Sequence, residues 1–402
     1  MTQRAWWLVM AAALLIDWQA PAQAADKKPL SEVLYEAGVL TKEQAAGVQE
    51  TVWPSFVDRA TLSSDLRVRH ESFFKQSDAK EVDRHRQRFR LRIGAKIKVK
   101  SFLVVVRVAS GTGEQQSTNQ SFDNLFTQKA IWIDHAYVAF NSPSAPFLTL
   151  AAGRMQNPFT RVYTSDLVWD DDVNPEGFAE QLKFSAGDAV IFVNLAQLVL
   201  DEDSGDNHDQ WMMGEQLGTT INAGAVKATL AGALYQVLNA TEGTFGSPAT
   251  QDGNTRVGGV LVNRYHVMDL MVALSTKVGD LPFQVMGDYV RNLADTTTGG
   301  NGVGTATGNV GYQVGAILGK ASDPNTWETA YFYKVVETDA TLADLSDSDF
   351  GDGGLARRGH IAWVAYSPTK FLQGKVKFFM TKSDGVARDD INRLQADVAI
   401  KF

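Results

Sequence analysis

The chain has no cysteine, only six histidines in 402 residues, and beyond its first two dozen residues no run of 18 apolar side chains. The first absence removes any disulfide framework, which in an exported chain of this length suits a protein held together by one large hydrogen-bonded sheet. The histidines, at 70, 85, 135, 208, 266 and 360, lack metal-ligand spacing. The third absence excludes a transmembrane helix, which needs about 20 apolar residues. Basic charge is also short: 38 Lys and Arg against 46 Asp and Glu give −8, which excludes a general nucleic-acid binder. Glycine is plentiful at 34, aromatics make up 10%, and mean hydropathy is near neutral. A sheet that faces lipid needs only every second strand residue to be apolar, so its average composition hides a membrane surface.

The N-terminus has the layout of a cleaved secretory leader: Arg4, an apolar stretch over 5–16, and the small-residue site Ala22-Gln23-Ala24. Cleavage is expected after Ala24, with Ala25 as the alternative. Helical spacing occurs only over 30–50, where Leu30, Val33, Leu34 and Ala37 share a face, Gly38 stops the turn, and Thr41 with Gln44 forms a capping box. Residues 25–62 are therefore expected to form a periplasmic helical hairpin and linker, and 63–402 a sheet domain.

From Leu66 onward the period is two. In 86–99, Phe89, Leu91, Ile93, Ala95, Ile97 and Val99 point one way, while Arg86, Arg88, Arg90, Arg92, Lys96 and Lys98 point the other. Sixteen strands are predicted: 66–75, 86–99, 102–111, 130–140, 147–154, 177–186, 190–199, 210–221, 225–236, 264–277, 281–292, 309–321, 326–337, 359–367, 371–382 and 390–402. Their connections alternate between short turns, such as 100–101 and 279–280, and long polar stretches, such as 111–129, 155–176 and 338–358. Short turns on one rim and long loops on the other, with an even strand count, predict an all-β fold: a transmembrane antiparallel β-barrel of 16 strands with a short N-terminal helical segment. The final strand places Leu394, Ala396, Val398, Ile400 and Phe402 on one face and Arg393, Gln395, Asp397 and Lys401 on the other. Its terminal Phe402 resembles the assembly signal that bacterial outer-membrane barrels present to their insertion machinery.

Several segments, in order, resemble the putative porin family of Gram-negative outer membranes. They are Arg86-Gln-Arg-Phe-Arg-Leu-Arg92, Ser117-Thr-Asn-Gln120, Gly153-Arg-Met-Gln-Asn-Pro-Phe159, Trp169-Asp-Asp-Asp-Val-Asn-Pro-Glu-Gly177, and Ser346-Asp-Ser-Asp-Phe-Gly351 followed by Gly359-His360. Trp132 and His135 depart from the pattern, standing where a polar inward residue and an aliphatic are expected. The resemblance implies a water-filled outer-membrane channel for small hydrophilic solutes and ions, without cofactor. It also implies contact with lipid, lipopolysaccharide and the insertion machinery, and it allows a homotrimer.

If Phe89, Leu91 and Ile93 face lipid, the alternating arginines face the interior, since a charge at the bilayer midplane costs roughly 2–4 kcal/mol. Arg67, Arg69 and Arg107 extend this set, so a basic wall of Arg67, Arg69, Arg86, Arg88, Arg90, Arg92, Lys96 and Arg107 is expected. It would favour anions weakly, because guanidinium is permanently charged and loosely hydrated. The arginines could equally brace the wall by pairing with Asp134 and other inward carboxylates. By resemblance to sixteen-stranded porins, the loop 155–176 folds inward and narrows the channel. Its acids Asp166, Asp170, Asp171, Asp172 and Glu176 would then oppose the basic wall and set a transverse field. A phosphate- or anion-specific channel is the second reading, and a structural or adhesive barrel the third.

Other clusters carry less. Asp347, Asp349 and Asp352 beside Gly351 and Gly353 lack the glutamate of a calcium loop and read as an Asp- and Gly-rich turn. Asp201-Glu-Asp203, Asp206 and Asp209 read as a solvated loop. His135, outward by strand parity, reads as an interfacial or subunit-contact residue. No Gly-x-Ser-x-Gly motif occurs, which argues against an embedded lipase.

Overall fold

A computed structural model describes residues 35, 41–42, 57–77, 83–163, 167–205, 208–243, 253–294, 308–383 and 389–401. The leader, most of the expected helical hairpin, Asp166, Asp206 and Phe402 lie outside them; Tyr35 and Lys42 are helical in backbone.

Among the described residues, sixteen long strands follow one another: β1 (Arg59–Ser77), β2 (Asp83–Val99), β3 (Phe102–Ser110), β4 (Ile131–Asn141), β5 (Leu148–Arg154), β6 (Glu176–Ala186), β7 (Ala189–Asp201), β8 (Gln210–Ala223), β9 (Val226–Leu238), β10 (Tyr265–Val278), β11 (Leu281–Asn292), β12 (Val310–Gly319), β13 (Thr326–Val336), β14 (Arg357–Ser367), β15 (Leu372–Ser383) and β16 (Asp389–Lys401). Each pairs antiparallel with its neighbours in sequence, and β16 pairs with β1 from Asp65↔Lys401 to Ser77↔Asp389. That pairing closes the barrel and leaves no long edge exposed. β1 starts at Arg59, seven residues before the predicted start, because Arg59 to Ser64 pair with Lys98 to Ile93 of β2. β2 outruns β3, and the two-residue strand Gln120–Ser121 pairs with Arg88 and Phe89 in its place.

One rim is made of tight turns. The two-residue connections at 187–188, 224–225 and 279–280 each begin with a glycine at φ near 60°, the left-handed geometry that matches strand twist. Lys100 adopts φ 52° in the fourth such turn, where the side chain is solvent-exposed. The first residue of β1 and the last of β16 both lie toward this rim. Near it the outer face carries Phe102, Phe140, Phe147, Phe184, Trp327, Tyr366 and Phe371, an aromatic girdle of the kind that marks a membrane interface. Above the girdle, the outward residues are exposed aliphatics such as Val68, Ile93, Val104, Leu217, Leu230, Leu270, Val364 and Val398.

The hydrophobic core is inside the barrel. Met155, Phe159, Leu167, Val168, Trp169 and Val173 from the loop 155–175 pack with Leu342, Ala343 and Leu355 from the loop 337–356, against inward Ala196, Leu198, Tyr235, Val267 and Val290.

Candidate functional site

The loop after β5 is drawn inward by side chains that the wall presents to it. Gln181 Nε2 donates to the Pro158 carbonyl (2.7 Å), and Gln216 both accepts from Thr160 N (2.8 Å) and donates to the Thr160 carbonyl (2.9 Å). Phe159 sits over Gly214, where a Cβ would come within 2.2 Å of its ring. Glycine at 214 is thus a seat for that ring. Trp169 stacks on Phe159 (6.0 Å between centroids) and meets Tyr235 edge-on (5.7 Å). Tyr163 stacks on Phe332 of β13 (4.7 Å) and Trp363 of β14 (5.6 Å). A loop that touches β6, β8, β9, β13 and β14 can do so only from within the barrel.

The loop 337–356 meets it there. Asp170 N donates to the Leu345 carbonyl (2.7 Å), while Ser348 donates its backbone N–H (2.7 Å) and hydroxyl (2.9 Å) to the Asp170 carboxyl. Gln116, from the loop 111–130, donates to the carbonyls of Ala343 and Ser346, both at 2.7 Å. Burial, with Asp172 and Asp347 close by, pushes Asp170 well above the usual carboxylate range.

These loops fill the interior beside β6 to β13 and leave a polar cavity of about 260 Å³ against β1, β2, β15 and β16. Seven cationic side chains line it, among them Arg67, Arg69, Arg90 and Arg92, against five acidic ones, among them Asp170, Asp171 and Asp172. Asp172 spans the gap: it lies 3.7 Å from Arg92 and 3.9 Å from Arg90, and accepts from the backbone N–H and hydroxyl of Thr118. Burial alone would raise its pKa, but Arg90 and Arg92 outweigh burial and hold it below the ordinary range.

Arginines of the expected wall are laced to carboxylates. Arg90 and Arg92 share Asp65 (3.0 and 2.6 Å), Arg69 grips Asp397 with two nitrogens (2.7 and 2.8 Å), and Arg86 and Arg88 turn to Glu71. Arg67 donates to Asn119 (2.7 Å), and Arg107 pairs with Asp134. Lys96 is exposed nearer the turn rim. Sequence reasoning missed Arg393, which is almost wholly buried and bonded to Glu71 (2.7 Å) and Asp349 (2.8 Å). It also missed Lys375 and Lys377, which line the cavity.

The expected acids divide. Asp170, Asp171 and Asp172 reach the cavity, though Asp171 is half-exposed beside Arg161 (3.6 Å). Glu176 opens β6, pairs with Arg154 (2.6 Å), and is absent from the cavity lining.

One expectation is overturned. His135 is buried and hydrogen-bonded to Asn174 of the inward loop (2.8 Å), so it is no outward subunit contact. The cause is a β-bulge: Arg107 pairs with His135 but Val108 with Ile133, so Asp134 is an extra residue and both it and His135 point inward. Asp347 and Asp349 do stand in an Asp- and Gly-rich turn, with Gly351 and Gly353 at positive φ, but that turn lies inside the barrel. Asp347 binds Lys334 (3.1 Å), and Asp349 binds Arg393 and Arg69 inside the barrel. Despite burial, Arg393 and Arg69 hold Asp349 well below the carboxylate range.

Comparison with known proteins supplies the family. Residues 77–256 and 236–402 match the family described as putative porin. No curated protein sequence matches the chain. Among solved structures, Pseudomonas putida OprB, in a high-pH structure, is similar with a TM-score of 0.55 at 10% identity, over 85% of this chain and 94% of that one. Salmonella typhi OmpF, in a complex with daunomycin, gives 0.51 at 9% identity, over 85% and 97%. At such identities the likeness shows the barrel fold, while the family match runs over most of the sequence. The chain belongs to the putative porin family and is an outer-membrane β-barrel of the channel-forming kind.

Proposed function

We propose that this porin lets small hydrophilic solutes and ions diffuse passively across the outer membrane, with a weak preference for anions. One observation carries the reading: the inward loops leave a polar space whose lining carries seven cations against five acids. Asp170, held toward its neutral form by burial, tips the balance further. The field between Asp172 and the arginines opposite it would order water and disfavour apolar solutes. Interleaving of Asp65, Glu71 and Asp397 keeps the preference weak, since each arginine near them already has a counter-charge.

The leader 1–24 would deliver the chain across the inner membrane, and the long loops would face outward among lipopolysaccharide. The run of cations on β2 from Lys98 up to Arg86 favours one second reading, a channel dedicated to phosphate. Single-channel recording in asymmetric potassium chloride tests both. The expected result is an open channel with a reversal potential of anionic sign and no block by phosphate. A closed barrel or a cation-selective reversal potential would overturn the proposal, and strong phosphate block would favour the second reading.

A further inference from the structure

Among the described residues, one run of consecutive non-glycine residues takes positive φ, and it lies in the loop 111–130. Asn124, Leu125 and Phe126 have φ of 54°, 50° and 66°. The left-handed region is ordinary for glycine and tolerable for a single asparagine; in leucine and phenylalanine it presses Cβ toward the following carbonyl. The tip's own bonds hold its ends: Thr127 N–H donates to the Asn124 carbonyl (3.1 Å), and Lys129 pairs with Asp123. The effect of the turn is to point both apolar side chains away from the barrel. Leu125 is 94% and Phe126 100% exposed, the highest values among the large apolar side chains described. Backbone strain persists where surroundings over-determine it, and this chain supplies no surroundings for these two side chains.

The wall beside the tip also changes character. Phe122 N–H donates to the Gln87 carbonyl (2.8 Å), and its ring lies 6.0 Å from that of Phe89 on β2. Here the outward residues of β1 and β2 are no longer the aliphatics of the lipid band. His70, Ser72, His85 and Gln87 alternate with Arg69, Glu71, Arg86 and Arg88, which meet inside the barrel, so they face outward. Ser72 Oγ lies 2.9 Å from both His70 Nε2 and His85 Nδ1, and Gln87 Nε2 lies 2.7 Å from His70 Nδ1. An uncharged face rich in rings has the composition of the buried middle of a protein interface. Lipid adapts to whatever shape it meets and fixes no backbone conformation, whereas a folded neighbour does. Because the tip is tied to the outer wall at β2, that neighbour is a protein embedded alongside the barrel, and most such assemblies join a chain to itself. We propose that the loop tip 122–126 docks on a second copy of this chain, in a symmetric assembly that buries Leu125 and Phe126 beside the outward face of β1 and β2. The assembly is separate from solute choice and stands independently of the anion preference.

The test uses the full-length protein in mild detergent, sized by light scattering. Wild type should be oligomeric. L125S/F126S alters side chains that touch nothing of their own chain, so it should stay folded, and its half-dissociation should come at a protein concentration at least about tenfold higher. L125G/F126G, in which glycine accepts the left-handed backbone without strain, should dissociate likewise, which separates loss of the side chains from loss of the turn. F126C places a single thiol in a chain without cysteine. Carrying a benzophenone label there, the protein should give a covalent dimer of itself on irradiation. A monomeric wild type, a folded L125S/F126S that assembles like wild type, or a label that couples only to lipid would overturn the proposal.

Discussion

Replacing Asp172 with asparagine removes one negative charge from the gap between loop and wall and changes little else. Asparagine keeps an oxygen for the Thr118 donors, and Arg90 and Arg92 remain on Asp65 at 3.0 and 2.6 Å. The lost contacts, at 3.9 and 3.7 Å beside a wet cavity, should cost about 1 kcal/mol or less in stability. The effect on ions is larger. A unit charge about 5 Å from a passing ion contributes roughly 0.8 kcal/mol at the dielectric of water and about 3 kcal/mol at an effective dielectric of 20. The lower figure alone corresponds to about a fourfold change in relative permeability. Asp172→Asn should therefore raise the chloride-to-potassium permeability ratio by about fourfold or more, read from the reversal potential at low salt, where screening is weak. Glu176→Gln, on the neighbouring β6, should change it little. Because Arg90 and Arg92 hold Asp172 below its ordinary range, its folded pKa lies under the unfolded value of about 3.9. Its charge and its stabilising contacts are then complete above that pH and lost only as pH falls through the folded pKa. The difference between variant and wild type should accordingly stay constant from about pH 7 to pH 5. An unchanged ratio, or a shift toward potassium, in folded Asp172→Asn would refute the account of the constriction.

Glu71 is wholly buried and meets Arg69, Arg86, Arg88 and Arg393; Glu71→Gln should cost about 3 kcal/mol, seen as a lower midpoint in urea unfolding. Gly214→Val places a Cβ where the Phe159 ring lies, 2.2 Å from its tip. It should unseat the inward loop, raise single-channel conductance, and cost about 1–3 kcal/mol; wild-type conductance in folded variant would contradict the seat. Ser101→Cys, the sole thiol in the chain, should resist an impermeant label on intact cells and react after the outer membrane is permeabilised. Labelling on intact cells would invert the topology.

The barrel was legible because its two faces meet different solvents. Alternation of Arg with Phe, Leu and Ile on β2 needs no knowledge of neighbouring strands, and strand ends agree with the predicted ones closely except at β1. There, residues 59–64 read Arg-Ala-Thr-Leu-Ser-Ser, with little contrast between faces, and only the partner β2 fixes them as strand. His135 was misplaced for a related reason. A bulge adds one residue and reverses the parity of everything beyond it, and no sequence signal distinguishes Asp134 as the extra one. The partners of the arginines were only partly within reach: Asp134, expected as one, meets Arg107, whereas others depend on closure. Arg69 meets Asp397 and Glu71 meets Arg393 only where β1 and β16 pair, over 300 residues apart in sequence. Lys375 and Lys377 were a different failure. They alternate with Val376 and Phe378 just as the arginines of β2 alternate with Phe89 and Leu91, so the signal was present and was overshadowed by the longer run.

Closure also changes what the arginine ladder means. Read along the chain it is either an anion-facing stripe or a braced wall; closed against β16 and the inward loops, it is a lattice in which Asp65, Glu71, Asp397, Asp172 and Asp349 alternate with guanidiniums. On the proposed reading this has a direct consequence for transport. A bare row of arginines would hold an anion by several charge-assisted bonds at once, each worth about 1.5–3 kcal/mol, and such an anion would leave slowly. Arginines that already bond carboxylates must give up one partner to take another, so the net gain per contact is small. Conduction requires binding weak enough for release. On that reading the carboxylates facing the arginines convert a trap into a pathway.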